Sequence, residues 1–194
     1  MALKKQWYEI VAPKMFEEKV IGETPAVEPR ALIGRTMQVS IVELVRDYSK
    51  FYIKLILQID RVEGSKAYTK LVGHDVLRER VYRLVQHYGR RVDVIQDLTT
   101  KDGIKVRIKT VFVLLKRVGT SMKDATRKVA KAKIEELVPK MTFEELIRSV
   151  ISGEVASDVR KAASKVYPVA SIEIRKTEVL HEKKKQEQAI EVEV

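Results

Sequence analysis

Between Phe51 and Gly73 the chain carries the pattern of an antiparallel hairpin, and this constrains the fold more than any other feature. Phe51, Ile53, Leu55, Leu57 and Ile59 alternate with Tyr52, Lys54, Ile56, Gln58 and Asp60. One face of the strand is therefore apolar and the other polar, broken only by Ile56. EGSK at 63–66 supplies a turn, and AYTKLVG returns as the second strand. A half-buried pair must cover its apolar face with further strands or helices. The chain has 194 residues to do so, enough for one domain or two small units in close contact.

The remaining pattern mixes strands and helices. RTMQVS from Arg35 predicts a short strand. Asp75 stands as an N-cap before a helix over 76–88, with Gly89 as its stop. Strands follow at 91–99 and 104–117, joined by Lys101-Asp102-Gly103; the second becomes wholly apolar at Val111–Leu115, as a strand entering a covered core does. Three helices are predicted next, from Thr120 or Ser121 to Val138, from Thr142 to Gly153, and over 154–166. Thr142 and Glu145 have the spacing of a capping box. A last strand covers 169–180, with Ile172, Ile174 and Val179 on its buried face. The fold class expected is α+β: a curled, mainly antiparallel, barrel-like sheet with one inserted helix and a C-terminal group of three helices. The expected organisation is an extended N-terminal arm at 1–30, a single α+β domain at 31–180, and a charged C-terminal tail at 181–194.

The arm is interrupted by Pro13, Pro25 and Pro29. Trp7, Tyr8, Met15 and Phe16 within it must dock on the chain's own core or on a partner. For residues 1–10 the expectation is a partner, with ordering coupled to assembly.

Chemistry is sparse. The chain has no cysteine, which excludes disulfides, thiol nucleophiles and cysteine metal sites. Its eight glycines are never closer than nine residues, so neither GxGxxG nor a P-loop exists. His74 and His87 fall on different faces of a helix, and His181 is remote. No apolar run approaches the ~20 residues that span a bilayer. The amino terminus shows no secretory signal. No cofactor, metal, membrane or enzymatic role is expected, and the location expected is cytoplasmic.

The charge does point somewhere. The chain holds 38 Lys and Arg against 27 Asp and Glu, a net +11, which favours a polyanion partner. From Lys116 to Lys133 seven cations (Lys116, Arg117, Lys123, Arg127, Lys128, Lys131, Lys133) face one acid, Asp124. Lys123, Arg127 and Lys131 recur at i, i+4, a repulsive stripe that a polyanion would relieve. Lys4 and Lys5 beside Trp7 and Tyr8 form a second basic-aromatic cluster, suited to phosphate contact plus stacking. Arg35 after Gly34 is either a phosphate fork or a surface charge beside a strand-entry bend.

The same residues carry a family resemblance. KKQWYEIVAPKMF at 4–16 resembles the opening of the S-three-a (eukaryotic-type S-one) small-subunit ribosomal proteins shared by archaea and eukaryotes. LIGRTMQVSIVEL at 32–44 is similar to the family's Gly-Arg block, with Gln38 where Glu is usual and Glu43 where Asp is usual. SDVRKAASKVYPVASIEIRKTEVL at 157–180 matches at Asp158, Lys161, Ala162, Tyr167, Pro168, Arg175 and Lys176. The resemblance implies a non-enzymatic constituent of the small ribosomal subunit that acts in translation. It implies a place on the platform near the messenger exit, with ribosomal RNA, neighbouring proteins and, near the exit, messenger RNA as partners. A free-standing RNA-binding or translation-regulating protein is the alternative. The candidate RNA-binding residues are Lys4, Lys5, Trp7, Arg35, Lys116, Arg117, Lys123, Arg127, Lys128 and Lys131.

Overall fold

The structure, a computed structural model, describes residues 5–180. The chain divides after Arg83 into two compact units. Its class is α+β, and every strand pairing within either unit is antiparallel except one.

The first unit is built on the hairpin that the alternation marks. β4 (Ile53–Glu63) and β5 (Lys66–Val76) pair from Ile53↔Val76 to Glu63↔Lys66. Ile53, Leu55, Leu57 and Ile59 are buried, and the intervening residues are not. Register shifts at Ile56/Leu57 and Ile59/Arg61 mark bulges, which bend a strand this long. β3 (Thr36–Ser40) lies beside β4.

The segment expected as an arm supplies two further strands, β1 (Gln6–Val11) and β2 (Val20–Ala26). β1 pairs antiparallel with β2 and, in the one parallel contact, with β5 through Glu9↔Lys66. The order is thus β2-β1-β5-β4-β3. Here the expectation of docking on a partner is corrected. Tyr8, Ile10, Val11 and Phe16 are buried in this chain's own core, and Tyr8 joins Ala26, Leu32, Ile59 and Ala67 in one cluster. Met15 is half-buried, and Trp7 stays outside, 65% exposed. The period-two pattern was hidden because Gly22 and Thr24, opposite Ile10 and Tyr8, occupy inward positions where apolar residues are expected, while Trp7 occupies an outward one.

The two ends of this sheet are drawn together. Arg35, just before β3, donates from Nη1 to Thr24 Oγ1 (3.2 Å) and to the Pro25 carbonyl (3.3 Å) on β2. The five strands therefore curl until one side chain spans their edges. Gly34 makes the approach with φ +88°, its N–H bound to the Ile59 carbonyl at 2.8 Å. A short helix α1 (Ile41–Val45), not expected from the pattern, continues from β3.

The predicted helix at 76–88 is shorter and later: α2 spans Arg78–Leu84. Asp75 is no N-cap. It lies in β5 opposite Lys54, and His74 beside it is fully buried opposite Leu55. β4 reaches back to Ile53, so pairing holds residues 73–76 in the sheet where a cap would have released them.

The second unit is a three-stranded sheet with helices on one face. β6 (Arg90–Thr99) pairs with β7 (Lys105–Leu114), and β7 with β8 (Val169–Val179). α3 (Thr120–Leu137), α4 (Phe143–Ser152) and α5 (Glu154–Ser164) follow the predicted order. Thr126, Ala130 and Ile134 are the buried stripe of α3, and Val155, Val159 and Ala163 that of α5, which packs on it. Gln96 of β6 donates to the Lys131 carbonyl (3.2 Å) and to Glu135 Oε1 (2.9 Å), which seats α3 over the sheet. The capping box of α4 is present: Glu145 N–H donates to Thr142 Oγ1 (3.3 Å) and Thr142 N–H to Glu145 Oε2 (2.8 Å). Asp102, in the β6–β7 turn, takes the Phe143 N–H at 2.8 Å and ties the hairpin to the helix. On β8 the buried residues are Val169, Ile174 and Thr177, with Ile172 half-buried. Gly89 does not stop a helix. A Cβ there would stand 2.9 Å from Val113 Cγ1, so its role is close approach to β7.

Candidate nucleic-acid interface

Charge is unevenly shared between the units. Between Lys5 and Arg83 there are 14 basic and 11 acidic side chains, an excess of three. Between Leu84 and Leu180 there are 20 and 12, an excess of eight. The second unit is therefore the more basic, and its strand register decides where the free cations lie.

On the sheet face away from the helices most cations are paired with carboxylates, Lys105 beside the hairpin turn having none among the described residues. Arg107 donates twice to Asp97 at 2.7 Å, and the guanidinium holds that carboxyl below its ordinary range. Lys109 and Lys176 both reach Glu178. Burial pushes Glu178 up, but those two lysines outweigh it and the carboxyl lies below its usual value. Arg91 is bound to Asp93 at 2.8 Å. Exposed pairs like these add little to stability, but they leave little net positive charge for a ligand.

The end where α3 begins is different. The register sets Arg90, Leu114 and Val169 side by side, and Leu115 N–H donates to the Pro168 carbonyl at 3.2 Å. Lys116 and Arg117 thus leave the sheet beside the start of β6 and the α5–β8 connection that carries Lys165. α3 opens three residues later with Lys123 in its first turns. Arg90, Lys116, Arg117 and Lys165 are exposed, and none has an ion-pair partner among the described residues. Tyr88 and Leu115 are exposed in the same stretch, at 69% and 54%. Gly119 caps α3 with no side-chain acceptor, so the positive end of that helix dipole adds to the field there.

The candidate residues separate accordingly. Lys116, Arg117 and Lys128 are exposed. Lys123, Arg127 and Lys131 do not form an outward stripe as the spacing suggests. They are half-buried, flanking Thr126, Ala130 and Ile134, and Arg127 donates to Asp124 at 2.5 Å. Met122 is exposed and Leu137 half-buried. The buried side of α3, where it packs on α5, is instead Thr126, Ala130 and Ile134. In the first unit Lys5 and Trp7 are exposed on and beside β1, Tyr8 is core, and Arg35 is committed in part to Thr24 and Pro25. Lys4 lies outside the described residues. Arg90 and Lys165 were not singled out by sequence, although the Lys101–Gly103 turn fixes the hairpin register that brings Arg90 to Leu114. The described residues include no group of three or more His, Asp or Glu that could hold a metal, and no helix long and apolar enough to cross a membrane.

The described residues thus form a basic α+β protein in which Arg90, Lys116, Arg117 and Lys165, all without an ion-pair partner among the described residues, stand at one end of the second unit. The chain belongs to the Ribosomal S3Ae family, whose sequence profile matches residues 2–183. This is a family of ribosomal structural proteins, not enzymes, and the resemblance carried by residues 4–16, 32–44 and 157–180 extends over nearly the whole chain. Relatives include the small ribosomal subunit protein eS1 of Methanothermobacter thermautotrophicus, 36% identical over 179 residues and 92% of each chain. The protein of that name from Methanobrevibacter smithii is 39% identical over 178 residues, again 92% of each. That of Methanopyrus kandleri is 39% identical over 182 residues, covering 92% of this chain and 86% of the relative.

Proposed function

We propose that this protein is a structural constituent of the small ribosomal subunit in the cytoplasm, where it acts in translation by binding ribosomal RNA and neighbouring ribosomal proteins. The observation that carries the RNA reading is the convergence of Arg90, Lys116, Arg117 and Lys165, without carboxylate partners among the described residues, beside the amino end of α3. Cations left unpaired in a unit that pairs most of those on its other face are available to phosphates, and each phosphate contact releases counterions. Exposed Lys128 extends the basic surface along α3, with Lys123 and Lys131 at its margin. The family resemblance supports a place on the platform near the messenger exit, with messenger RNA within reach.

Sedimentation of a cell lysate and cross-linking test this together. The protein should co-migrate with small subunits, and a photo-reactive group placed at Lys116 should cross-link to ribosomal RNA. Recovery at the gradient top would instead favour a free-standing RNA-binding or regulating protein. Cross-links to protein alone from Lys116 would refute the phosphate-binding role of that end.

A further inference from the structure

We infer that the cationic end of the second unit takes an unpaired stretch of RNA rather than a duplex, with one base stacked on Tyr88. The inference deepens the RNA-binding reading above and rests on it: it names the form of RNA that the site beside α3 holds.

Five aromatic side chains are more than half exposed among the described residues, and four of them have acidic neighbours. Trp7 shares its strand face with Glu9 and Glu23, Tyr48 and Phe51 lie in the turn that Asp47 caps, and Tyr82 stands one helical turn from Glu79. Tyr88 is the exception. Segments 84–92, 114–123 and 164–172 meet at its end of the sheet, and none of them contains an Asp or Glu. They carry Arg90, Lys116, Arg117, Lys123 and Lys165, which have no ion pair among the described residues, and Arg91, which is bound to Asp93. A protein partner would have to bring its own carboxylates to this end, whereas every nucleotide brings a phosphate.

The position of Tyr88 is fixed by its neighbours. Gly89 N–H closes a turn onto the Gln86 carbonyl at 2.9 Å. Gly89 also packs so closely on β7 that a Cβ there would stand 2.9 Å from Val113 Cγ1 and 3.5 Å from the Leu114 carbonyl oxygen. Arg90 then enters the ladder opposite Leu114. The turn is therefore anchored to the strand from which Leu115 and Lys116 emerge. The His87 and Tyr88 rings meet edge to face, with centroids 4.5 Å apart and planes at 71°, which limits the rotation of the tyrosine. Such a pair uses one face of one ring, so at least one face of Tyr88 stays open, and the side chain is 69% exposed. Leu115, 54% exposed with its N–H bound to the Pro168 carbonyl at 3.2 Å, adds apolar surface at the same strand end. An A-form duplex hides its base faces in its own stack and offers phosphates and 2′-hydroxyls, so it needs neither an exposed ring nor an exposed leucine. An unpaired base has a free π face. Stacking it on Tyr88 covers apolar surface while the flanking phosphates meet Arg90, Lys116 and Arg117.

Anisotropy of the full-length protein with a labelled single strand of about twelve nucleotides, and with the same strand annealed to its complement, tests this across a salt series. Tyr88→Ala should weaken single-strand binding roughly tenfold, as loss of one stacked base does, and duplex binding by less than about twofold. The slope of log K against log salt should stay as in the parent protein, because stacking releases no counterions. Tyr88→Phe keeps the ring and should bind like the parent. Equal losses on both RNA forms, no loss on either, a flattened slope in Tyr88→Ala, or a loss in Tyr88→Phe as large as in Tyr88→Ala would overturn the stacking site. So would ultraviolet cross-linking of assembled subunits that joins Tyr88 to protein alone. Lys116→Gln with Arg117→Gln separates the two readings. If it flattens the slope while Tyr88→Ala does nothing, the cations bind RNA and the stacking site falls; if it too changes nothing, the RNA reading of this end fails with it.

Discussion

Removing three positive charges should have unequal consequences for RNA binding depending on which three are removed. In one variant Lys116, Arg117 and Lys165 become Gln; in the other Arg107, Lys109 and Lys176 do. The change in net charge is identical. The first set is exposed and has no ion-pair partner among the described residues, whereas the second is held by Asp97 and Glu178. If each residue of the first set meets one phosphate, the slope of log K against log salt should flatten by about 0.7 to 0.9 per residue, or about 2.1 to 2.7 in all. Between 50 and 200 mM salt, the variant should then lose affinity roughly twenty- to fortyfold less steeply than the parent protein. The second set should change the slope by less than about one unit, because its cations are already neutralised by carboxylates rather than by counterions. Filter binding or anisotropy with a small-subunit RNA fragment across that salt range measures both, with thermal melts confirming that each variant is folded. Equal slope changes in the two variants would show that net charge alone governs binding, and the site at the start of α3 would have no meaning.

Two further outcomes follow from the fold itself. Thr142→Ala removes the acceptor for Glu145 N–H at the start of α4 and should cost about 1 kcal/mol in urea unfolding; a cost near zero would mean that Asp102 on Phe143 N–H suffices to hold that helix end. Asp97, Glu136, Glu145 and Glu178 all lie below their ordinary range in the folded protein: Asp97 through Arg107, Glu136 through Lys133 and Lys140, Glu145 through the Thr142 backbone, and Glu178 through lysines that outweigh burial. The unfolded chain therefore binds more protons in acid, so their contribution is present above the unfolded pKa near ~4 and is lost as pH falls below it. The Tm should be flat between neutrality and about pH 5 and fall below that range, less steeply in Asp97→Asn; a Tm that rose in acid would contradict the sign.

What the sequence disclosed, and what it withheld, follows from how far apart the deciding partners lie. Strands β4 to β7 and helices α3 to α5 were legible because alternation, the 3.6 period and the Thr142–Glu145 cap are written within a few residues of one another. The phase of α3 was not. Met122, Ala125, Val129 and Leu137 make one plausible apolar stripe and Thr126, Ala130 and Ile134 another, and the second is the one buried where α3 packs on α5. That selection moved Lys123, Arg127 and Lys131 from an outward stripe to the margins of a packed face. It passed the open cationic surface to Lys116, Arg117, Arg90 and Lys165, of which only the first two are neighbours in sequence.

Arg35 shows the same dependence at a single side chain. Its two readings, phosphate fork and surface charge, could not be separated locally, because the groups that bind it, Thr24 and Pro25, belong to a strand whose alternation is masked by Gly22 and Pro25. Once the sheet curls, Arg35 satisfies an edge carbonyl on β2 and the hydroxyl of Thr24 beside it. Arg35→Lys would therefore keep the charge but lose the guanidinium whose Nη1 reaches both Thr24 and Pro25.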